Sequence, residues 1–375
     1  MAIKTTHVGS LPRAQEVVDL IFAREHGADY SEATFRETMT RNVSETVKKQ
    51  VEAGIDIVSD GETSKISYAT YVKDRYTGFG GDSERNAPAD LKLFPTFLQR
   101  LADDGGTPTY ARPCCIGEVK PKDDTDLRAD IDNLVAAAKE HGAHKAFMNA
   151  ASPGVVSLFL PNQHYASRDE YLGALSDVLR AEYEAITGAG LDLQLDCPDL
   201  ALSRHMLFTD LSDEEFVKIA ESHVEALNAA LANVPTEQTR VHICWGNYEG
   251  PHDCDIPLDK VIHLLMNANP SILLFEAANP RHEHEWTVWE STDIPDNKIL
   301  APGCIDTCSN YVEHPQLISQ RLQRFIDIVG EERVIASTDC GFGTFAGYGK
   351  IDPEVAWKKL KNLREGADLA VKKVA

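Results

Sequence analysis

Four side chains of the kinds that bind zinc follow short apolar runs in this chain. They are His242 and Cys244 in VHICWG, Glu276 in ILLFEAAN and Cys340 in VIASTDCGFG. Ligands spread over about a hundred residues are typical of a functional zinc site, whereas structural sites usually use local Cys-x₂-Cys motifs. Two thiolates and a carboxylate would leave the centre a formal charge of about −1, which favours holding a nucleophilic thiolate over activating water. The pattern therefore predicts zinc chemistry on a small thiol.

The His242 and Cys244 pair has the spacing expected of two ligands on one strand. Residues two apart in a strand point to the same side, and an isolated pair of this kind is more often a buried histidine beside an inert thiol. Glu276 changes that balance because it follows four apolar residues. A buried carboxylate is costly unless a metal or an arginine compensates its charge. Cys340 supplies the fourth ligand position.

The remaining cysteines make weaker candidate sites. Cys304 and Cys308 lie in a passage from strand to loop, and Cys114 and Cys115 would point to opposite faces of a strand. The eight cysteines are spread through a long chain, so free thiols or metal ligands are expected rather than disulfides.

Apolar, β-branched segments alternate with amphipathic helical patterns, which indicates repeated βα units and a parallel sheet. Nine candidate strands are predicted: KTTHVGS, IDIVSDGE, YARPCCIGE, KAFMNAAS, LDLQLDCPD, RVHICWG, SILLFEAAN, NKILAPGCID and RVIASTDCG. Eight of them suit an α/β fold of the (β/α)₈ TIM barrel type with residues 1–375 in one domain. YARPCCIGE is assigned to an extra strand or hairpin before the third barrel strand, within an irregular insertion at 63–120.

Most of these strands end in a short polar or cysteine-containing word, such as SDGE, LDCPD, HICWG, FEAAN or STDCG. The carboxyl ends of barrel strands meet on one face, where active sites are built. Sequence signals for helix starts support the predicted order of strands and helices. Ser167 with Glu170 and Ser212 with Glu215 have the spacing of a capping box, and Asp352 precedes Pro353 at the start of the last helix.

The formal net charge of −22 argues against a nucleic-acid surface and against anionic membranes, because both require basic patches. The first residues lack the apolar stretch of a signal peptide, and no window is apolar enough to span a membrane. A cytoplasmic location is expected. The oligomeric state stays open, and a homo-oligomer is one of the alternatives.

The motifs resemble the cobalamin-independent methionine synthases, specifically their catalytic C-terminal barrel, over essentially the whole chain. The resemblance implies that His242, Cys244, Glu276 and Cys340 bind zinc. It also implies that three short sequence motifs bind the amino-acid substrate. These are Val8-Gly9-Ser10, Asp60-Gly61-Glu62 and Gln194-Leu195-Asp196. Ser10, Glu62 and Asp196 are therefore expected to bind substrate.

Several motifs are closer in sequence to those of a divergent branch, the epoxyalkane:coenzyme M transferases. Among them are HICWG, NPRHEHEW and STDCG. The chain also departs from the methionine synthases. Ala151-Ser152-Pro153-Gly154 stands where they have a G-P-V/I-T word, and Cys308 in IDTCSN stands where they have a histidine proposed to protonate the departing folate. Further candidates for catalytic or supporting roles are Asp306, Cys308, Arg281 and His282, with Arg281 able to hold an anionic group of a substrate.

The sequence thus predicts a zinc-dependent transferase that activates a small thiol as its thiolate and alkylates it. Methyl transfer to homocysteine is the first hypothesis, and opening of an epoxide by coenzyme M or a similar thiol is the alternative. The alkyl donor, whether folate, corrinoid or epoxide, stays open. Two rival classes are a metal-free lyase like uroporphyrinogen decarboxylase, which would place basic residues around the site, and a non-catalytic protein that stores zinc or thiols.

Overall fold

The structure is a computed structural model that describes residues 3–84, 87–103 and 111–371. Residues 85–86 and 104–110 of the predicted insertion lie outside the described residues, and so do residues 1–2 and 372–375. Tyr110, the first residue of the predicted segment YARPCCIGE, is among them.

Ten strands lie in the described part of the chain. They are β1 (Lys4–Thr5), β2 (Ile57–Val58), β3 (Phe79–Gly80), β4 (Cys114–Cys115), β5 (Lys145–Ala151), β6 (Asp192–Asp196), β7 (Thr239–His242), β8 (Ile272–Phe275), β9 (Ile299–Pro302) and β10 (Ile335–Ala336). Six of them form a curled parallel sheet in the order β2-β5-β6-β7-β8-β9, and β1 pairs in parallel with β10. The alternating pattern of the sequence therefore correctly predicted an α/β fold with a parallel sheet.

Isolated contacts connect the β1-β10 pair to both edges of the six-stranded sheet. Parallel bridges join Leu300 to Val334 and Gly303 to Ser337, next to β9 and β10. On the other side, the backbone N–H of Asp56 donates to the carbonyl of Thr5 at 3.1 Å. These contacts place β1 and β10 between β9 and β2.

Fourteen α-helices lie in the described residues. They are α1 (Gln15–Glu25), α2 (Glu32–Glu52), α3 (Val72–Arg75), α4 (Ala89–Leu93), α5 (Pro95–Asp103), α6 (Thr125–Glu140), α7 (Pro153–Phe159), α8 (Arg168–Gly188), α9 (Ser203–Met206), α10 (Asp213–Ala230), α11 (Leu258–Asn267), α12 (Trp286–Glu290), α13 (Pro315–Val329) and α14 (Pro353–Val371). None of the described helices combines the length and the apolar character needed to cross a membrane.

The predicted helix starts are borne out in the structure. Ser212 Oγ accepts from the backbone N–H of Glu215, whose carboxylate accepts from the N–H of Ser212, so both halves of the capping box are made. Ser167 caps α8 through the N–H of Glu170, and α14 begins at Pro353 as expected. These side-chain acceptors satisfy backbone donors that have no partner within the helix.

Alternate residues of the strands pack on two different layers. A small cluster inside the curled sheet takes residues from several strands, among them Phe147, Leu274 and Ala301. Residues of opposite parity, such as Leu193 and Val241, join the large core between the sheet and the helices. A sheet that is buried on both faces has the apolar strand composition seen here.

The described part of residues 63–120 contains an extra antiparallel strand pair, as the sequence predicted. Phe79 and Gly80 of β3 pair antiparallel with Cys115 and Cys114 of β4, outside the six-stranded sheet. Helices α3, α4 and α5 belong to the same segment.

A buried ion-pair network joins the 63–120 segment to the helices around the sheet. Arg75 donates to Glu182 of α8 at 2.5 Å and to Asp130 of α6 at 2.6 Å, and the Tyr71 and Tyr76 hydroxyls donate to the same Glu182 carboxylate. Arg75 and Glu182 are both buried. Each charge in such a network relies on its partners, because water cannot solvate it.

We predict that Arg75→Met lowers the free energy of unfolding by about 3–5 kcal/mol, because it leaves the Glu182 carboxylate buried without a cation. Urea denaturation followed by circular dichroism measures this. Arg128→Met is the matched control, since Arg128 pairs with Asp124 on the surface and such pairs contribute about 0–1 kcal/mol. Equal losses in the two variants would contradict the proposed anchoring role of Arg75.

Candidate metal and substrate site

His242, Cys244 and Cys340 come together at the carboxyl ends of their strands. Their ligand atoms lie within 4.8 Å of one another, and all three side chains are buried. The two sulfur atoms are 3.2 Å apart, and Cys340 Sγ lies 4.0 Å from His242 Nε2. His242 is the last residue of β7, and Ile243 continues the pairing by donating to the carbonyl of Leu274. This local extension directs His242 and Cys244 to the same side, as the spacing predicted.

Glu276 lies beside this group without being one of its three members. Its Oε1 is 3.8 Å from Cys340 Sγ and accepts from the backbone N–H of Trp245 at 2.8 Å. Its Oε2 accepts from the side-chain amide of Asn279 at 2.6 Å. Hydrogen bonds from the protein therefore satisfy the buried carboxylate that the sequence flagged as unpaired.

The two thiols are held in an environment that disfavours their ionised forms. The hydrogen bond with Cys244, burial and the nearby Cys244 and Glu276 charges raise the pKa of Cys340 well above its usual value. The hydrogen bond with Cys340 lowers the pKa of Cys244, but burial and the Glu276 charge outweigh it, so that this pKa is also raised overall. A cation is the change that would stabilise both thiolates here.

Asp339 supports this centre and was not among the residues predicted from the sequence. Its carboxylate accepts from the backbone N–H groups of Ala277, Ala278 and Asn279 at 2.8–2.9 Å, and from the Asn279 side chain at 3.0 Å. Its backbone carbonyl lies 3.0 Å from His242 Nε2. Asp339 thus connects the loop after Glu276 to the segment that carries Cys340. Its position in the STDCG motif, directly before Cys340, was the sequence feature that could have indicated this role.

A cavity of about 630 Å³ opens above the three ligand-type residues. Ser10, Glu62 and Asp196, the residues expected to bind substrate, line it together with His242, Cys244 and Cys340. Ser10 lies against Gly341, where an added Cβ would come within 2.0 Å of the Ser10 hydroxyl oxygen. Glycine at 341 therefore fits the close approach of this segment to Ser10.

Glu62 and Asp196 form an acidic end of the cavity. Burial and the neighbouring Asp196 charge raise the pKa of Glu62 to about 8, and Glu62 Oε2 has no hydrogen-bond partner. Asp196 accepts from Asn149 Nδ2 at 2.8 Å and lies 3.4 Å from His242 Nδ1. Glu62 therefore keeps its proton to a higher pH than an exposed carboxyl group does, because the nearby cations do not offset burial and the Asp196 charge.

Arg281 and His282 are not among the residues that line the cavity. Arg281 donates to the carboxylate of Asp255 and to the carbonyl of His252. His282 bonds Asp255 at 3.1 Å and Glu285 at 2.6 Å, and its ring packs on Trp245 with 4.2 Å between centroids. Burial lowers the pKa of His282, but these two carboxylates raise it to about 9 overall. The pair braces the loops behind Cys244 and does not present an anion-binding group to the cavity.

Asp306 and Cys308 shape a neighbouring loop. Asp306 accepts from the N–H of Cys308 at 2.8 Å and from the Ser309 hydroxyl. The Cys308 thiol donates to Asn247 Oδ1 at 3.3 Å, while Asn247 Nδ2 donates to the carbonyl of Gly341. Burial and the Asp306 charge raise the pKa of Cys308 well above its usual value. Asn247, which was not predicted from the sequence, therefore links the Cys308 loop to the Cys340 loop.

No family model matches the chain. The chain is 21% identical to methionine synthase of Thermococcus kodakarensis, over 100% of this chain and 95% of that protein. It is 24% identical to 2-hydroxypropyl-CoM lyase of Xanthobacter autotrophicus, over 98% of this chain and 95% of that protein. Among solved structures, a B12-independent methionine synthase from Shewanella sp. W3-18-1 in complex with selenomethionine superimposes with a TM-score of 0.74 at 20% identity, covering 100% of this chain and 99% of that one.

These comparisons confirm the resemblance to the methionine synthases and to the coenzyme M branch that the sequence motifs predicted. The structural likeness shows a shared α/β fold. Each of these relatives is named as an enzyme.

We predict that metal-free protein loses stability as the pH rises from about 4.5, the unfolded pKa of Glu62, to about 8, its folded pKa. The folded state holds this proton longer than the unfolded state, so the contribution is complete below 4.5 and declines by up to about 1.4 kcal/mol per pH unit. Glu62→Gln should flatten this decline in urea denaturation, whereas the exposed Glu249→Gln should not. Parallel curves for wild type and Glu62→Gln would contradict it.

Proposed function

We propose that this protein is a zinc-dependent S-alkyltransferase that transfers a methyl group to homocysteine or a similar small amino thiol. The observation that carries the proposal is the position of His242, Cys244 and Cys340, with ligand atoms within 4.8 Å, in the cavity that Glu62 and Asp196 also line. The similarity to methionine synthases along the whole chain supports the same conclusion.

The donor set fits zinc. Two soft sulfur ligands and one imidazole are the combination that zinc prefers, and burial of all three limits competition by water. We propose Glu276 as the fourth ligand, because its Oε1 already lies 3.8 Å from Cys340 Sγ. Zinc bound here would supply a positive charge that lowers the pKa of a substrate thiol.

The protein's own residues would hold the rest of the substrate. Glu62 and Asp196 offer two carboxylates to an ammonium group, and the unpartnered Oε2 of Glu62 is free to accept from it. Ser10 lines the same cavity and can bond the substrate carboxylate. An amine-free sulfonate such as coenzyme M would add negative charge to this end, so homocysteine suits the site better. The thiolate sulfur would then bond to the alkyl carbon as the leaving group departs.

Epoxide opening by a thiol is the second candidate function. Two observations favour it: Cys308 replaces the histidine of the methionine synthases, and the chain is similar to 2-hydroxypropyl-CoM lyase. Both candidates share the thiol activation described above. A lyase like uroporphyrinogen decarboxylase would place cations around the site, whereas Glu62 and Asp196 make it acidic. Zinc storage would not require these acids beside the metal residues.

We also propose that β1, β2 and β5 to β10 close into an eight-stranded barrel. The contacts of β1 and β10 with the two edges of the curled sheet support this closure. Residues 1–375 would form one domain, with 63–120 as an insertion. Closure would bring the carboxyl ends of all eight strands to the rim of the cavity.

We predict that Cys340→Ser lowers zinc affinity and thiol alkylation by at least about 100-fold, since loss of a ligand should exceed the effect of changing a residue that supports one. Zinc per chain is measured by mass spectrometry after dialysis, and thiol consumption is followed with a colorimetric reagent. Cys254→Ser is the control because Cys254 lies outside the cavity lining. Unchanged zinc content and alkylation in Cys340→Ser would refute the proposal.

We predict that Glu62→Gln raises the KM for homocysteine by roughly 30-fold or more, because loss of a charged partner for the ammonium group costs about 2 kcal/mol or more. The KM for coenzyme M should not rise. Glu249→Gln, at the same cavity, should leave both values within about twofold. A better reaction of wild type with coenzyme M than with homocysteine would instead support the second candidate.

A further inference from the structure

Helix α5 has an apolar face that lines the large cavity. None of its nine residues is buried, and the helix packs on α4 within the insertion. Leu98, Leu101 and Ala102 have i, i+3, i+4 spacing, which places them on one face, and all three line the large cavity. An amphipathic helix normally buries its apolar face against a protein core. Here that face is directed to the space in which the substrates would bind.

The same cavity has a second group of apolar side chains. Leu91 of α4, Leu202 directly before α9, and Met206 of α9 line it together with the apolar face of α5. None of these six side chains carries a charge. The acids Glu62 and Asp196 and the ligand-type residues belong to other segments, at the ends of the barrel strands. The cavity therefore combines polar groups suited to an amino thiol with an apolar wall that an amino thiol does not need.

The wall is fixed to the loop that follows the candidate metal residues of β7. Asp90 of α4 is buried, and its carboxylate accepts from the Tyr248 hydroxyl at 2.9 Å and from the backbone N–H of His252 at 2.7 Å. His252 has a positive φ of 54°, a conformation that costs energy in a residue other than glycine and requires support from its surroundings. Asp90 thus holds α4 and this loop in a defined relation.

Two cations also line the cavity, and both have partners there. Lys350 Nζ lies 4.0 Å from a carboxylate oxygen of Glu249, and the Arg112 guanidinium lies over the Phe159 ring, 5.8 Å from its centroid. The apolar wall itself offers no hydrogen-bond donor or charge to a polyanionic ligand. Its chemistry matches an uncharged hydrocarbon group.

We propose that Leu98, Leu101 and Ala102 of α5, with Leu91, Leu202 and Met206, bind an uncharged hydrocarbon portion of the alkyl donor. This inference rests on the proposed function, because the occupant is the electrophile that meets the thiol in the same cavity. It adds that the donor presents an apolar surface to the insertion.

The test uses N-phenyl-1-naphthylamine, an uncharged probe that fluoresces in apolar sites, with the zinc-loaded full-length protein. We expect one probe to bind per chain and Leu98→Asp to weaken binding about tenfold or more, because a carboxylate in the apolar wall opposes desolvation. Gln99→Glu is the matched control, since it adds the same charge to an exposed position of α5 and should leave binding within about twofold. Met206→Asp tests the second group, and circular dichroism confirms that each variant folds.

Probe binding that neither Leu98→Asp nor Met206→Asp weakens would overturn the inference, as would a wild-type protein that binds no probe. The probe should also inhibit alkylation of homocysteine by competing with the alkyl donor, and Leu98→Asp should reduce that inhibition about tenfold. Inhibition that competes with homocysteine would also overturn it. Failure of the proposed function is distinguishable, because it would appear as absent zinc or absent alkylation, whatever the probe does.

Discussion

The structure depends on how negative charge is balanced at the bottom of one cavity. Burial and Asp196 raise the pKa of Glu62 to about 8, and burial and Glu276 raise that of Asp339 to about 7. The pKa values of the Cys244 and Cys340 thiols are raised as well. Buried groups of one sign are costly unless cations accompany them. A metal beside the thiols and an ammonium group beside Glu62 would meet this requirement at two adjacent places.

The parallel sheet explains why the groups that create this requirement meet. Each follows the carboxyl end of a strand, and those ends lie along one edge, so residues far apart in sequence become neighbours. Side-chain amides then fix the loops beyond the strands. Asn279 bridges Glu276 and Asp339, and Asn247 bridges the loops that carry Cys308 and Gly341. These amides add no charge to the site.

The sequence predicted the parallel α/β fold and the approach of His242, Cys244 and Cys340, because strand periodicity and polar strand ends are local signals. It did not predict that the Glu276 oxygens accept hydrogen bonds from Trp245 and Asn279, since that depends on the paths of two loops. From its residue type, Arg281 was a candidate for a catalytic or supporting role that could hold an anionic group of a substrate. The structure places it on Asp255, a contact across 26 positions that no local pattern reveals. The cavity wall formed by α5 was also not predicted, because an amphipathic helix normally implies a protein partner.

The central claim is that a bound amino thiol loses its S–H proton in this cavity. Calorimetric titration of zinc-loaded protein with homocysteine at pH 7, in buffers of different ionisation enthalpy, counts the protons released on binding. Methionine is the matched ligand, because it has the same ammonium and carboxylate groups but no S–H proton. Any proton that Glu62 releases on binding the ammonium group is therefore released with both ligands and cancels in the comparison. The account predicts about one more proton released with homocysteine than with methionine. Equal proton release by the two ligands would contradict it.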